Sequence, residues 1–224
     1  MNQMSLTVEI CTVGMMQTNC YIVSNGKACV VVDPGAQPDK IEAKCEALHV
    51  KPEAILLTHG HFDHTMAVKP LLEKYGKCPV YALDAELPLL REPKLNLSER
   101  FTTQVSLGED IVTPVHDGQK LELLGHTFEV IATPGHTGGG CCYYVADSGL
   151  LFAGDTLFRE SYGRTDFPTG SMRDIVKSIG GKLLKLPEET KVFPGHEAPS
   201  TIGHERQYNI CGVIYQKALE QGKL

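Results

Sequence analysis

Five things are missing from this chain, and each absence argues against a class of function or location. No C-x-x-C pair occurs among its eight cysteines (Cys11, Cys20, Cys29, Cys45, Cys78, Cys141, Cys142 and Cys211), which argues against a structural zinc ribbon built on thiolates. There is no excess of positive charge. Lys and Arg number 21 against 27 Asp and Glu, and a net charge of −6 disfavours broad nucleic-acid binding, which needs a basic face. No apolar stretch is long enough to span a bilayer. Met1 to Val13 carries Glu9 and no basic cluster ahead of a long apolar core, so no signal peptide is expected. Finally, no Gly-Lys-Ser/Thr follows Gly138-Gly139-Gly140, so this triplet is not a phosphate loop. Its glycines are expected to let the backbone turn close beside a site.

Without a secretion signal the thiols are expected to be reduced, in a cytoplasmic protein. Most sit among apolar neighbours and should pack as small hydrophobes. Cys141 and Cys142 are adjacent, so in a strand they face opposite ways. A hydrophobic content of 42% with 21% charged residues describes a soluble globular protein. Its 224 residues, free of repeats, low-complexity segments or a linker, are read as one domain over 1–224.

The first third predicts short strands and a helix. Leu6–Val13, Cys20–Val23 and Ala28–Val32 are rich in Val, Ile and Tyr, and Asp33-Pro34-Gly35 stops the third. Asp39–Leu48 has Ile41, Cys45 and Leu48 at helical spacing. Ala54–Thr58 reads as a strand and Thr65–Tyr75 as a helix. Pro70 inside that helix predicts a kink or a later start. Pro79–Leu83 is a short strand, Asp84–Leu90 a helix, and 91–120 a loop with a strand near Ile111–Val115. Strands return at Leu121–Leu124, Thr127–Ala132, Cys141–Val145, Leu150–Ala153 and Lys191–Phe193. Helices are expected at Met172–Leu184 and His204–Leu219. Strands outnumber helices, and helices fall between and after strand groups. That is the pattern of an α+β protein with two packed sheets and outer helices.

The chemistry gathers where strands end. Residues 58–64 read Thr-His-Gly-His-Phe-Asp-His and place His59, His61, Asp63 and His64 directly after the run Ala54-Ile55-Leu56-Leu57. Imidazole and carboxylate are what divalent transition metals take when thiolates are absent. The theme recurs three times. Phe128–Gly135 leads to His136, Leu150–Gly154 to Asp155, and Lys191–Gly195 to His196. Seven donors are too many for one tetrahedral zinc. They suit two metals sharing one bridging carboxylate, with positions left open for water and substrate, the ions about 3.5–4 Å apart. In an extended segment His59, His61 and Asp63 would share one side and His64 the other; a turn at Phe62–His64 would divide the set between two ions. His49, His116, His126 and His204 lie outside any ligand pattern and are expected on the surface or in loops. Asp33 reads equally as a turn former or as the acceptor for a ligand histidine's free N–H.

With these residues assembled, the chain resembles the metallo-β-lactamase-fold hydrolases, specifically the glyoxalase II-like (hydroxyacylglutathione hydrolase-like) branch. The match is carried by Thr58-His59-Gly60-His61-Phe62-Asp63-His64, Pro134-Gly135-His136-Thr137, Gly154-Asp155-Thr156-Leu157-Phe158 and Pro194-Gly195-His196. Gln17-Thr18-Asn19-Cys20-Tyr21 and Val32-Asp33-Pro34-Gly35 contribute to it. The resemblance implies a four-layer αβ/βα sandwich of two mixed sheets. It implies one metal held by His59, His61 and His136, a second by Asp63, His64 and His196, and Asp155 bridging them. Full-length members carry a C-terminal helical domain that grips glutathione. Here 28 residues follow His196, enough for one long helix, so the likeness is to a short form. Arg164 falls where the family tends to place a basic residue near the thioester, and Asp166 where the long enzymes have a tyrosine.

The implied activity is hydrolysis of a thioester or similar acyl compound by a binuclear metal-dependent enzyme. Two divalent ions, zinc first and iron or manganese as alternatives, would lower the pKa of a bridging water from about 15.7 towards 7. The metal-bound hydroxide would attack the acyl carbon, with Asp63 and Asp155 the carboxylates of the catalytic centre. Two divalent ions less two carboxylates and one hydroxide leave a positive site, which favours a small anionic acyl substrate. A thiolate leaves without a dedicated general acid. Tyr162 and Arg164, in the glycine-punctuated loop after Asp155, are the expected substrate contacts. The rival readings are a persulfide dioxygenase, whose single iron is held by residues matching His59, His136 and Asp155, and a lactone, β-lactam or phosphodiester hydrolase.

Overall fold

The structure, a computed structural model, describes residues 5–76, 78–101 and 103–223. The first four residues of the stretch read for a leader lie outside them. Two six-stranded mixed sheets make up the frame. The first contains β1 (Thr7–Val13), β2 (Thr18–Ser24), β3 (Cys29–Val32), β4 (Pro52–Leu56), β5 (Val80–Leu83) and β6 (Val112–Val115), in spatial order 1-2-3-4-5-6. Its first two pairings are antiparallel hairpins and the remaining three are parallel. The second contains β7 (Lys120–Leu123), β8 (His126–Ala132), β9 (Cys141–Val145) and β10 (Leu150–Gly154). A two-stranded ribbon, β11 (Leu157–Phe158) with β12 (Ser161–Tyr162), follows β10. β13 (Lys191–Pro194) and β14 (Ser200–Thr201) complete the second sheet, whose order is 14-13-10-9-8-7.

The alternation of side chains builds the layers. In β2, Ile22 points one way and Tyr21 and Val23 the other; in β3, Val31 opposes Val30 and Val32; in β4, Ile55 opposes Ala54 and Leu56. The second members of each set meet Phe128, Val130, Tyr143 and Phe152 from the other sheet and form the central core. The first members pack under α1 (Pro38–Ala47) and α3 (Val68–Tyr75), through Ile41, Cys45, Val68 and Leu71. α2 (Phe62–Thr65) and α4 (Leu87–Arg91) are short pieces beside the site. On the far face Cys142, Tyr144, Leu151 and Ala153 pack against α5 (Met172–Gly181) through Ile175 and Ile179. Both sheets are thus buried on two faces, and the fold is the expected αβ/βα sandwich. Cys141 and Cys142 do face opposite cores.

Several local expectations change. Pro70 sits in the first turn of α3, which starts at Val68 because the missing proline N–H has no intrahelical partner there anyway. The C-terminal helix is two helices, α6 (Ile202–Tyr208) and α7 (Ile210–Glu220). Asn209 separates them, its extended backbone (φ −76°, ψ 125°) and side chain capping the N–H of Cys211. The β11–β12 ribbon and β14 have only two residues per strand, too few to show periodicity. Among the described residues no helix is long and apolar enough to cross a membrane.

Candidate metal centre

Strand ends of both sheets converge on one edge of the sandwich. Leu56 ends β4, and the chain bends at Thr58 before reaching His61, the N-cap of α2. The turn expected at Phe62–His64 is therefore helical. It carries Asp63 and His64 in a different direction from His59 and His61, so the single side predicted for His59, His61 and Asp63 does not hold. His136, Asp155 and His196 come from the turns after β8, β10 and β13.

The structure brings all seven donors together. His59, His61 and His136 form one group whose ligand atoms lie within 4.8 Å of one another, and Asp63, His64 and His196 form another. Nδ1 of His61 lies 2.9 Å from Nε2 of His136. Asp155 stands between the groups. Its Oδ1 is 3.5 Å from Nε2 of His64, and its Oδ2 is 3.6 Å from Nε2 of His136 and 3.5 Å from Nε2 of His196. A third combination, Asp33 with His59 and His64, also falls within the same span, but Asp33 is already engaged. It accepts from the backbone N of Thr58 at 2.8 Å, from Thr58 Oγ1 at 2.6 Å and from His64 Nδ1 at 3.0 Å. Of its two sequence readings, acceptor for a donor histidine and turn former, the structure displays the first.

The partners of the imidazoles fix where their lone pairs point. Oxygen acceptors engage Nδ1 of His136 (Arg164 carbonyl, 2.7 Å), of His196 (Met16 carbonyl, 3.1 Å) and of His64 (Asp33). Thr58 Oγ1 gives its proton to Asp33 and so accepts from Nδ1 of His59 at 3.2 Å. In these four rings Nδ1 then carries an N–H, which leaves Nε2 facing the cluster as the atom a metal would take. Nε2 of His59, His61 and His64 and Oδ1 of Asp155 are buried with no hydrogen-bond partner. An orphaned buried polar atom costs about 1–3 kcal/mol, so four of them approach the whole stability of a domain, about 5–15 kcal/mol. A resident cationic group removes that cost, and the donor set fits a pair of divalent ions.

Electrostatics divides the cluster. Burial, reinforced by the neighbouring imidazoles, pushes His59 well below its ordinary range and His61 down to about 3. Burial also opposes charge on His64, but Asp63, Asp155 and Asp33 outweigh it and lift that ring to about 9. At His196 burial again loses, to hydrogen bonds and attraction from Asp155 and Asp63, and the ring rises to about 10. For Asp155 and Asp63 burial favours the neutral acid, yet these imidazoles hold both carboxyls below the carboxylate range. The carboxylate-bearing half demands positive charge, which protons or metal can supply.

Supporting residues outside the donor set hold the turns. Thr18 Oγ1 donates to Asp63 Oδ2 at 3.0 Å. Asn19 clamps the His196 turn, donating to the carbonyls of Pro194 and Glu197 at 3.2 and 2.9 Å. Glu86, 1% exposed, accepts from Gly60 N with one oxygen and Gly139 N with the other, both at 2.9 Å. It thereby ties the turn of His59 and His61 to the turn after His136. A Cβ on Gly139 would lie 2.2 Å from the backbone N of Glu86, so this brace needs glycine there. Gly195 is equally constrained: a Cβ would sit 2.1 Å from Asp155 Oδ1 and 2.7 Å from His64 Cε1.

Above the cluster opens a cleft of 450 Å³. Tyr162 and Arg164 line it, with Phe158, Phe167 and Met16. Arg164 is engaged within the chain: it donates twice to Asp166, at 2.7 and 2.6 Å, and its guanidinium lies 3.9 Å from the Phe167 ring centre. Of the four histidines outside the pattern, His49 is exposed, His116 pairs with Asp84 at the surface and His204 pairs with Glu160. His126 departs from the surface expectation: it is 4% exposed and bound to Asp147 at 3.0 Å, because it opens β8 with its ring turned inward.

A model of the metallo-beta-lactamase superfamily matches residues 13–196, which span every donor. The chain belongs to that superfamily. It is 31% identical over 209 residues to hydroxyacylglutathione hydrolase GloC of Haemophilus influenzae, covering 91% of this chain and 97% of that protein. Among solved structures it resembles the B3 metallo-beta-lactamase BLEG-1 (TM-score 0.84, 35% identity, 91% of this chain and 98% of that one). It also resembles TTHA1623 in a di-iron-bound form (TM-score 0.80, 36% identity, 90% and 98%). The protein is a metallo-hydrolase of this superfamily with a His/Asp cluster that could hold metal.

Proposed function

We propose that the protein hydrolyses small anionic thioesters, using two divalent cations held by His59, His61 and His136 and by Asp63, His64 and His196, with Asp155 shared. The observation that carries this reading is the position of Asp155 within 3.6 Å of ligand nitrogens from both groups. A single-ion site would need only one of the two groups. Bound there, the cations would acidify a water towards neutral pKa and polarise the acyl carbonyl. Zinc suits a set of imidazoles and carboxylates, as do iron and manganese; the di-iron form of TTHA1623 keeps iron in view.

The chain's own groups set up the rest. Asp63 and Asp155 remain ionised at neutral pH because the imidazoles beside them favour the anion. Asp33, Thr58 and the carbonyls of Arg164 and Met16 fix the rings so that Nε2 faces inward. A thiolate, from a thiol of pKa about 8.5, departs without a proton donor. Arg164 and Tyr162 on the rim contact the substrate's anionic end. The whole chain, 1–224, works as one domain in the cytoplasm.

Elemental analysis of the purified protein, run beside assays on thioesters, lactones, β-lactams and persulfides, tests the proposal. Two ions per chain with thioesters the best substrates support it. One iron per chain, with oxygen uptake and sulfite formation from persulfide, replaces it with the oxygenase reading.

A further inference from the structure

Beside the metal cleft lies a second pocket of a different character. Its volume is 220 Å³, and of its ten lining residues only Asp63 is charged. Met16, Phe62 and Asp63 line both it and the metal cleft, whereas Arg164 and Tyr162 line the cleft alone. The pocket leads away from the metal donors under the β1–β2 hairpin, to Ala36, Met66 and Phe101. The Phe62 ring lies 4.4 Å, centre to centre, from that of Phe101. The hairpin tip above carries Met15 and Met16, 77% and 51% exposed. Large apolar side chains held in water at the mouth of an apolar pocket are costly unless something covers them, and unbranched methionines adapt to a chain of variable shape. The same hairpin holds the metal cluster, since the Met16 carbonyl fixes His196.

We infer that this pocket takes the unbranched aliphatic chain of an acyl thioester, with the carbonyl at the metal cluster beside Asp63 and the thiol portion on the Arg164 side. The inference rests on the thioester reading and adds the acyl class: straight-chain, apolar beyond the carbonyl. The adjacency of the two cavities, which share Met16, Phe62 and Asp63 in their linings, selects this occupant. A polar or charged acyl group would lose its hydration there and gain only Asp63.

The test compares acetyl, butanoyl and hexanoyl thioesters of N-acetylcysteamine on the metal-loaded protein. It also follows calorimetric binding of the non-hydrolysable S-ethyl, S-butyl and S-hexyl thioethers of the same thiol. The expected result is a rise in kcat/KM, and in thioether affinity, of about fourfold per added methylene. Ala36→Leu and Met66→Phe, which fill the pocket in two different ways, should collapse the hexanoyl-to-acetyl and hexyl-to-ethyl ratios towards one. Thioesterase activity that ignores chain length, or a gradient that survives both substitutions, overturns the pocket and leaves the thioester reading intact. A thioether gradient erased by the substitutions, with no thioester hydrolysed, supports the pocket and overturns the thioester reading. The thioether series needs only the unsubstituted protein, so a variant that does not fold does not decide the matter.

Discussion

The two sheets furnish the same centre by opposite means. The first delivers four donors on one continuous segment, His59 to His64, which is braced by Asp33, Thr18 and Glu86. The second delivers three donors from three separate turns, each secured by its own contact: His136 by the Arg164 carbonyl, His196 by the Met16 carbonyl, Asp155 by the glycine-tight approach of the Gly195 turn. A concentrated set resists single losses because its neighbours hold the backbone. A dispersed set depends on the sandwich keeping its two sheets in register. The difference shows where the centre is robust and where it is fragile, and substitutions can separate the two.

The largest effect is expected from the dispersed side. Asp155→Ala should abolish turnover and lower metal per chain, read by elemental analysis, while far-UV circular dichroism stays unchanged; near-normal activity would remove Asp155 from the centre. Gly195→Ala comes next. Its methyl would meet Asp155 and His64, and displacement of about 1 Å at a reacting centre costs about a hundredfold in rate, so kcat should fall by about that factor with the fold retained. On the concentrated side, Asp33→Ala removes the acceptor of three donors. Metal affinity should fall about 10–100-fold, and chemical denaturation should show a loss of about 2–4 kcal/mol. A smaller loss of affinity than of stability would mean that Asp33 serves the fold more than the ring of His64.

Glu86 tests the brace between the two sides. Burial lifts its carboxyl from an ordinary 4.5 to about 7 against the pull of two backbone N–H groups. The folded protein therefore holds that proton more tightly than the unfolded chain. The stability this contributes is complete below pH 4.5 and is lost as pH rises through 7. Relative to Glu86→Gln, the wild-type protein should lose about 2–3 kcal/mol across that window in paired denaturant titrations; parallel curves would mean that Glu86 ionises as freely inside as out. The smallest effect concerns the rim. Asp166→Asn releases Arg164 from its ion pair, and KM for an anionic thioester should fall a few-fold with kcat unchanged, in steady-state assays.

How much of this was legible in the sequence follows the same division. Four donors within six residues announce themselves. His136, Asp155 and His196 were visible because each follows an apolar run and a glycine, a pattern that survives any ambiguity in strand boundaries. The excess of strands, with helices falling between and after strand groups, foretold two packed sheets with helices outside. The break at Asn209 escaped, because an asparagine between two apolar helical stretches is a cap only when the chain bends, and spacing alone does not show the bend. Glu86 escaped for a related reason, as did the contact that Thr18 makes, although Thr18 belongs to a stretch that carried the family resemblance. A carboxylate in a short helix after β5 and a threonine opening β2 acquire meaning only when tertiary packing lays backbone amides or Asp63 against them. His126 was misplaced because polarity outweighed its position at the head of a strand whose inward face is buried.

The sulfur inventory has a consequence for the proposed chemistry. Seven of the eight cysteines are buried and the eighth, Cys78, is half-covered. No cysteine lines the cleft above the cluster among the described residues. A mercaptan set free there would find no protein sulfur within reach, so even under an oxidant it could not be held at the cleft as a mixed disulfide with the chain.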